Sequence, residues 1–210
     1  MCMRLLLLLS LVAMNAIAEP VYYNDYETLD YRVVQSYDND IEIRQYAPAV
    51  AVATRGTTDE NSFNLLFKYI TGANVSQATI DRTQPSEMES VEVAMTTPVE
   101  MQDVANGQIM RFFLPSEFNL ETAPKPIHPA VYLEERPAKM VAIIRYSGYN
   151  NDKKIAQHEK LLRDLIARED YQVIGDKTVF GYDAPWRLWW LRRNEVTIPV
   201  MKVSEATTSL

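Results

Sequence analysis

The stretch IEIRQYAPAVAVATRGTTDENSFNLLFKYITGAN, residues Ile41 to Asn74, decides how this chain is read. Ile41 and Ile43 alternate with Glu42 and Arg44 at the two-residue period of a half-buried strand. Pro48 interrupts, and a second alternating run follows from Ala49 to Thr54. Phe63, Leu66, Phe67 and Ile70 then recur at i, i+3, i+4 and i+7, placing two rings and two aliphatic chains on one helical face. Asp59 stands as the N-cap of that helix and Gly72 as its stop. The same order returns from Val131 to Ala167, VYLEERPAKMVAIIRYSGYNNDKKIAQHEKLLRDLIA. Val131 and Leu133 alternate with Tyr132 and Glu134, Pro137 interrupts, Val141, Ile143 and Arg145 alternate with Ala142, Ile144 and Tyr146, and a helix follows. One ββα unit is used twice.

Outside these units, Tyr31 to Tyr37 reads as a strand and Asp38-Asn39-Asp40 as a turn. The Ser, Thr and Gln between Val75 and Ser90 read as an exposed loop. Val91, Val93 and Met95 alternate with Glu92, Ala94 and Thr96 up to Pro98, and Met110, Phe112 and Leu114 alternate with Arg111 and Phe113. Asn106-Gly107 joins those runs as a hairpin. Pro115 to Pro129 is a proline-stiffened connector, and Thr178 to Tyr182 with Leu188 to Val200 supply the last strands. The expected class is α+β: two pseudo-symmetric ββα-ββ halves closing into a distorted antiparallel β-barrel flanked by two main helices. The expected boundaries are a signal peptide at 1–18, an extended lead-in at 19–30, the folded domain at 31–203 and a tail at 204–210.

Arg4, the apolar run Leu5 to Met14 and the small residues of Ala16-Ile17-Ala18 have the order of an export signal, and the apolar run is too short to span a bilayer. The protein is therefore expected to be exported, with cleavage near Ala18. The one cysteine, Cys2, falls inside that segment, so thiol chemistry and thiolate ligation are not expected of the mature chain. Losing Arg4 takes the formal charge from −7 to −8, which opposes nucleic acid or an anionic membrane as partner.

The blocks IEIRQYAPA (Ile41 to Ala49), KYITGAN (Lys68 to Asn74), VAMTTPV (Val93 to Val99), FFLPSEF (Phe112 to Phe118), VYLEERP (Val131 to Pro137), FGYD with Pro185 (Phe180 to Pro185) and RRNE (Arg192 to Glu195) occur in the order of a known family. The chain resembles the SOUL, or heme-binding protein, family from about Tyr31 to Val200. The resemblance implies a monomeric, non-enzymatic domain whose eukaryotic members bind heme and other tetrapyrroles in a shallow hydrophobic groove beside the first helix.

A heme site needs an apolar slot, cations for two propionates and, where iron is ligated, a suitable side chain. Leu65, Leu66 and Tyr69 on the first helix, with Met95 and Trp186, are the candidate walls, and Lys68, Arg187, Arg192 and Arg193 the candidate cations. For Arg192 to Glu195, a structural ion-pair cluster on adjacent strands is the competing reading. In relatives where an axial histidine has been proposed, its position is occupied here by Gln45, a poor iron ligand. His128 reads as a solvated connector residue and His158 as a buried, hydrogen-bonded histidine on the second helix. The resulting expectation is hydrophobic binding of heme or a related tetrapyrrole without strong axial ligation and with no metal site. Two alternatives remain. One is a carrier for another hydrophobic or amphipathic molecule, and the other is a hydrolase or lyase drawing on Tyr182, Asp183 or Glu195. The sequence shows no nucleophile elbow, Walker-type loop, CxxC or HExxH.

Overall fold

A computed structural model describes residues 20–56, 59–77 and 89–203. The signal segment, most of the loop expected after the first helix, Met88 and the tail lie outside the described residues. In chain order the strands are β1 (Val21–Tyr23), β2 (Tyr26–Thr28), β3 (Tyr31–Tyr37), β4 (Ile41–Tyr46) and β5 (Ala49–Gly56). Helix α1 (Asp59–Ile70) follows, then β6 (Asn74–Val75), β7 (Thr96–Thr97), β8 (Val99–Val104), β9 (Gly107–Phe113), β10 (Lys125–Pro126), β11 (Val131–Arg136) and β12 (Lys139–Ser147). Helix α2 (Asp152–Ile166), β13 (Tyr171–Val173), β14 (Thr178–Gly181), a 3-10 turn at Trp189–Leu191 and β15 (Arg193–Lys202) complete the described chain.

The main sheet runs β11-β5-β9-β8-β14-β15-β12-β4-β3, antiparallel throughout. Exchanging β4 with β11, β5 with β12, β8 with β14 and β9 with β15 reverses this order from β11 to β4, so the two ββα-ββ halves occupy equivalent places. The register agrees: Val131 faces Thr54 and Ile41 faces Ile144, each number differing by 90 between the pairs (131 − 41 and 144 − 54). The halves are not separate sheets. β4 and β5 do not pair; Pro48 sends the chain around a corner, and each half lends its first strand to the other, β4 to β12 and β11 to β5.

Both helices cover one face of the sheet. Under α1 lie Val50, Val52, Met110, Phe112, Leu114 and Val131; under α2 lie Ile41, Ile43, Ala142, Ile144, Val196 and Ile198. Each is the partner that strand alternation sends to the helix side. The opposite face curls on itself, since Phe180 of β14 meets both Tyr46 of β4 and Phe113 of β9 at 6.3 Å, strands that are not neighbours in the sheet. A closed interior buries both faces of its strands, which is why Arg44, Glu100, Arg111 and Glu195 are buried although they alternate with apolar residues.

Helix α1 buries Ser62, Leu66, Tyr69 and Ile70, a face rotated from the predicted stripe, and Phe67 stays 46% exposed, stacked on Phe63. Gly72, at φ +115°, ends it: Ala73 N–H donates to Lys68 O and Gly72 N–H to Tyr69 O, the paired bonds of a left-handed C-cap. Helix α2 starts at Asn151, whose side chain accepts from Lys154 N–H.

Three further expectations change. The lead-in is a hairpin, β1 with β2, and β2 runs parallel to β7. The run Val91 to Met95 is not a strand, because its backbone is tied to the end of α1: Val93 N–H donates to Ile70 O and Val91 N–H to the Asn74 side chain. The last strand begins at Arg193, and the run before it is the 3-10 turn.

Candidate functional site

Where the first half turns from β8 to β9 over two residues, the second half inserts Tyr182 to Arg192 between β14 and β15. Asp183, its side chain 3% exposed, locks the base of this loop. Its Oδ2 accepts from Arg193 N–H at 2.6 Å and from the Tyr23 hydroxyl at 3.3 Å, and its Oδ1 pairs with Arg187 Nε at 3.2 Å. Burial, then Asp183, raises the Tyr23 pKa, which keeps that hydroxyl protonated as the donor. Farther out, Arg187 N–H closes a turn on Ala184 O, and Arg192 donates from Nε to Arg187 O at 2.9 Å and from Nη2 to Pro185 O.

A firmly held loop thus presents an apron of apolar side chains to solvent. Trp186 is 85% exposed, and Leu188, Trp189, Trp190, Leu191 and Tyr149 are each about half exposed. Trp189 stacks on Tyr149 with ring centroids 5.7 Å apart and meets Trp190 edge-on at 5.5 Å. The Arg192 guanidinium sits 5.2 Å from the centre of the Tyr149 ring. Isolated exposed apolar residues are ordinary, whereas exposed apolar residues gathered on one loop make it the candidate interaction surface. These are all three tryptophans of the chain.

Beneath the loop, the enclosed face of the sheet holds two ionic networks. In one, Glu195, fully buried, accepts from Arg44 Nη1, Arg193 and the Tyr182 hydroxyl, all between 2.6 and 3.2 Å. Burial pushes the Arg44 and Arg193 guanidinium pKa values down, but Glu195 foremost carries both above the ordinary value. Burial, then Glu195, raises the Tyr182 and Tyr46 pKa values. In the other network Glu100, also fully buried, pairs with Arg111 and Arg136, while Glu134 pairs with the same two arginines. Glu135 points the other way, as adjacent strand residues must.

The predicted site residues divide into two groups. Leu65, Leu66, Tyr69 and Met95 belong to the cluster under α1. Leu66 and Tyr69 are core residues and not groove walls, at 0% and 1% exposure, and the Tyr69 hydroxyl donates to Pro124 O at 2.8 Å. Leu65 and Met95 are half-buried against that core, and Lys68 is exposed. Trp186, Arg187 and Arg192 lie instead on the loop that carries the apron, where Arg192 donates to Arg187 O. Arg193 is not a free cation for a ligand; it is held by Glu195, as the ion-pair reading expects. The sequence reading missed Trp189, Trp190, Leu188 and Tyr149, because Leu188 to Trp190 has the apolar run of a strand. Their signal is the clustering of every tryptophan behind Pro185.

Of the possible iron ligands, Gln45 donates to Tyr46 O at 3.4 Å. His128 is exposed and its Nδ1 accepts from Ala130 N–H. His158 has Nδ1 bonded to Lys154 O at 2.7 Å and its ring stacked on Tyr146 at 4.2 Å, hydrogen-bonded as expected but half-buried and not buried. Among the described residues, no group of three or more His, Cys, Asp or Glu could hold a metal ion, and no helix is long and apolar enough to cross a membrane.

The chain is 27% identical over 171 residues to human heme-binding protein 2, covering 74% of this chain and 80% of that protein. In three dimensions it is similar to the EcmrR C-terminal domain (TM-score 0.52, 12% identity, 82% of this chain and 99% of that one). It is also similar to a hydrolase from Listeria innocua (TM-score 0.52, 9% identity, 79% and 94%). Likenesses at such low identity speak to the fold alone. Residues 26–199 match the model of the SOUL heme-binding protein family, and the chain belongs to that family.

Proposed function

We propose that this protein is an exported, monomeric carrier that binds heme or a related tetrapyrrole against the aromatic apron of residues 186–191, without strong axial ligation. The observation that carries this reading is the exposure of all three tryptophans, Trp186, Trp189 and Trp190, on one anchored loop that also holds Arg187 and Arg192. A macrocycle is a flat apolar plate, and stacked or edge-on aromatic side chains are the surface it buries best. Among the described residues, both side-chain contacts of Arg187 use its Nε, which leaves the Nη donors for a propionate carboxylate. These residues fit the ring and its carboxylates; neither Gln45 nor the two histidines fit the iron. When bound, the group would supply its own redox and light-absorbing chemistry, and the protein would supply the platform.

No catalytic step belongs to this reading. Tyr182, Asp183 and Glu195, the residues a hydrolase or lyase would draw on, are each committed to hydrogen bonds within the fold. Titrating the purified protein with hemin tests the proposal: a saturable Soret shift with quenching of tryptophan emission is expected, and a flat titration contradicts it. A co-purifying lipid or quinone found by native mass spectrometry would favour the alternative carrier. The N-terminal sequence of protein recovered outside the cytoplasm tests export, and sedimentation tests the monomer.

A further inference from the structure

Between the N-terminal hairpin and the sheet lies a cavity of about 270 Å³ that no candidate tetrapyrrole residue lines. Its volume falls below the ~300–1,000 Å³ usual for drug-sized ligands, so it suits something smaller than a macrocycle. Leu29, Val50, Phe113, Leu114 and Phe118 give it apolar walls. Its charged lining residues are Glu27 and Asp30, with no Lys, Arg or His among the described residues that line it. Glu27 Oε1 accepts from Ser116 N–H at 2.7 Å, which fixes that carboxylate at the rim.

We propose that this cavity is a binding site for a small molecule with an apolar, aryl-sized body and a single protonated amine. The body fills the space between Leu29 and Phe118, and the ammonium donates to the Glu27 carboxylate at the rim. A carboxylate ligand meets two negative side chains and no cation there. The site does not depend on the tetrapyrrole reading, since it shares no residue with the apron.

Three probes of one shape and different charge test it by amide NMR at neutral pH: 4-phenylbutylamine, 4-phenylbutan-1-ol and 4-phenylbutyrate. Saturable shifts at Leu29, Val50 and Phe118 are expected, with the amine bound at least about tenfold tighter than the acid. In Glu27→Gln with Asp30→Asn, which keeps the acceptor for Ser116, the amine and acid should come within about threefold while the alcohol is unchanged. Ser116→Trp, at an exposed rim position, and Leu29→Trp should each weaken all the binding probes by at least about tenfold. The proposal is overturned if no probe gives saturable shifts at those amides, or if the acid binds as tightly as the amine. Full-strength binding in Ser116→Trp with a well-dispersed spectrum also overturns it.

Discussion

Arg44 and Glu195 lie 151 residues apart in the chain and meet at 3.0 Å on the enclosed face of the sheet, their side chains 2% and 0% exposed. The pair joins β4 of one half to β15 of the other, and Arg193 and Tyr182 complete the coordination of the same carboxylate. Removing one partner of such a set strands the others without solvent. Glu195→Gln should therefore cost about 3–5 kcal/mol in denaturant unfolding, and a loss under about 1 kcal/mol would show the network to be dispensable.

The tyrosines of this network set an alkaline limit on stability. Burial and Glu195 raise Tyr46 and Tyr182 above the ordinary value of 10.0. A group whose pKa is raised in the fold contributes stability that is complete below its unfolded value and is lost as pH climbs toward the folded one. Unfolding free energy should thus fall steeply above about pH 10, and Tyr46→Phe with Tyr182→Phe should flatten that fall. An unchanged slope would remove these tyrosines from the account.

Asn74, 1% exposed, ties α1 to the segment before β7. Its Nδ2 donates to Tyr69 O and Val91 O, both at 2.7 Å, and its Oδ1 accepts from Val91 N–H at 2.9 Å. Asn74→Ala removes three hydrogen bonds, leaves the part-buried Val91 N–H and C=O without this partner, and should lower stability by about 2–4 kcal/mol, read by thermal and urea unfolding. Asn74→Asp sets a carboxylate oxygen against the Tyr69 and Val91 carbonyls and should lose at least as much.

Leu66 is fully buried under α1, so Leu66→Ala is a core truncation. It should cost about 2–5 kcal/mol while hemin affinity of the folded fraction stays unchanged. A selective loss of hemin binding with stability preserved would restore Leu66 to the ligand site.

The ββα units were legible because strand and helix periods are local, and the strand order follows from using one unit twice. The angle of α1 about its axis was not. Phe63, Leu66, Phe67 and Ile70 form as good a stripe as the observed face, and only packing against β5 and β9 decides that Tyr69 goes in and Phe67 stays out. The interior charges were equally hidden. Glu42 and Arg44 alternate with isoleucines like the wet face of an open sheet, and a sheet that curls closed makes part of that face a second interior. For the apron, the residues were visible and their conformation was not, since Leu188 to Trp190 is as apolar as a strand and becomes a 3-10 turn beside the anchored Asp183.

The placement of the tetrapyrrole is tested most directly by comparing hemin affinity in two double variants that should both stay folded. One is Trp186→Ser with Trp189→Ser on the apron, and the other is Leu65→Ser with Phe67→Ser, on the two flanks of the buried face of α1. The account predicts that the apron variant loses at least about tenfold in affinity while the helix variant stays within about twofold of the parent. Undiminished affinity in the apron variant, with the loss confined to the helix variant, would contradict it and return the ligand to the first helix.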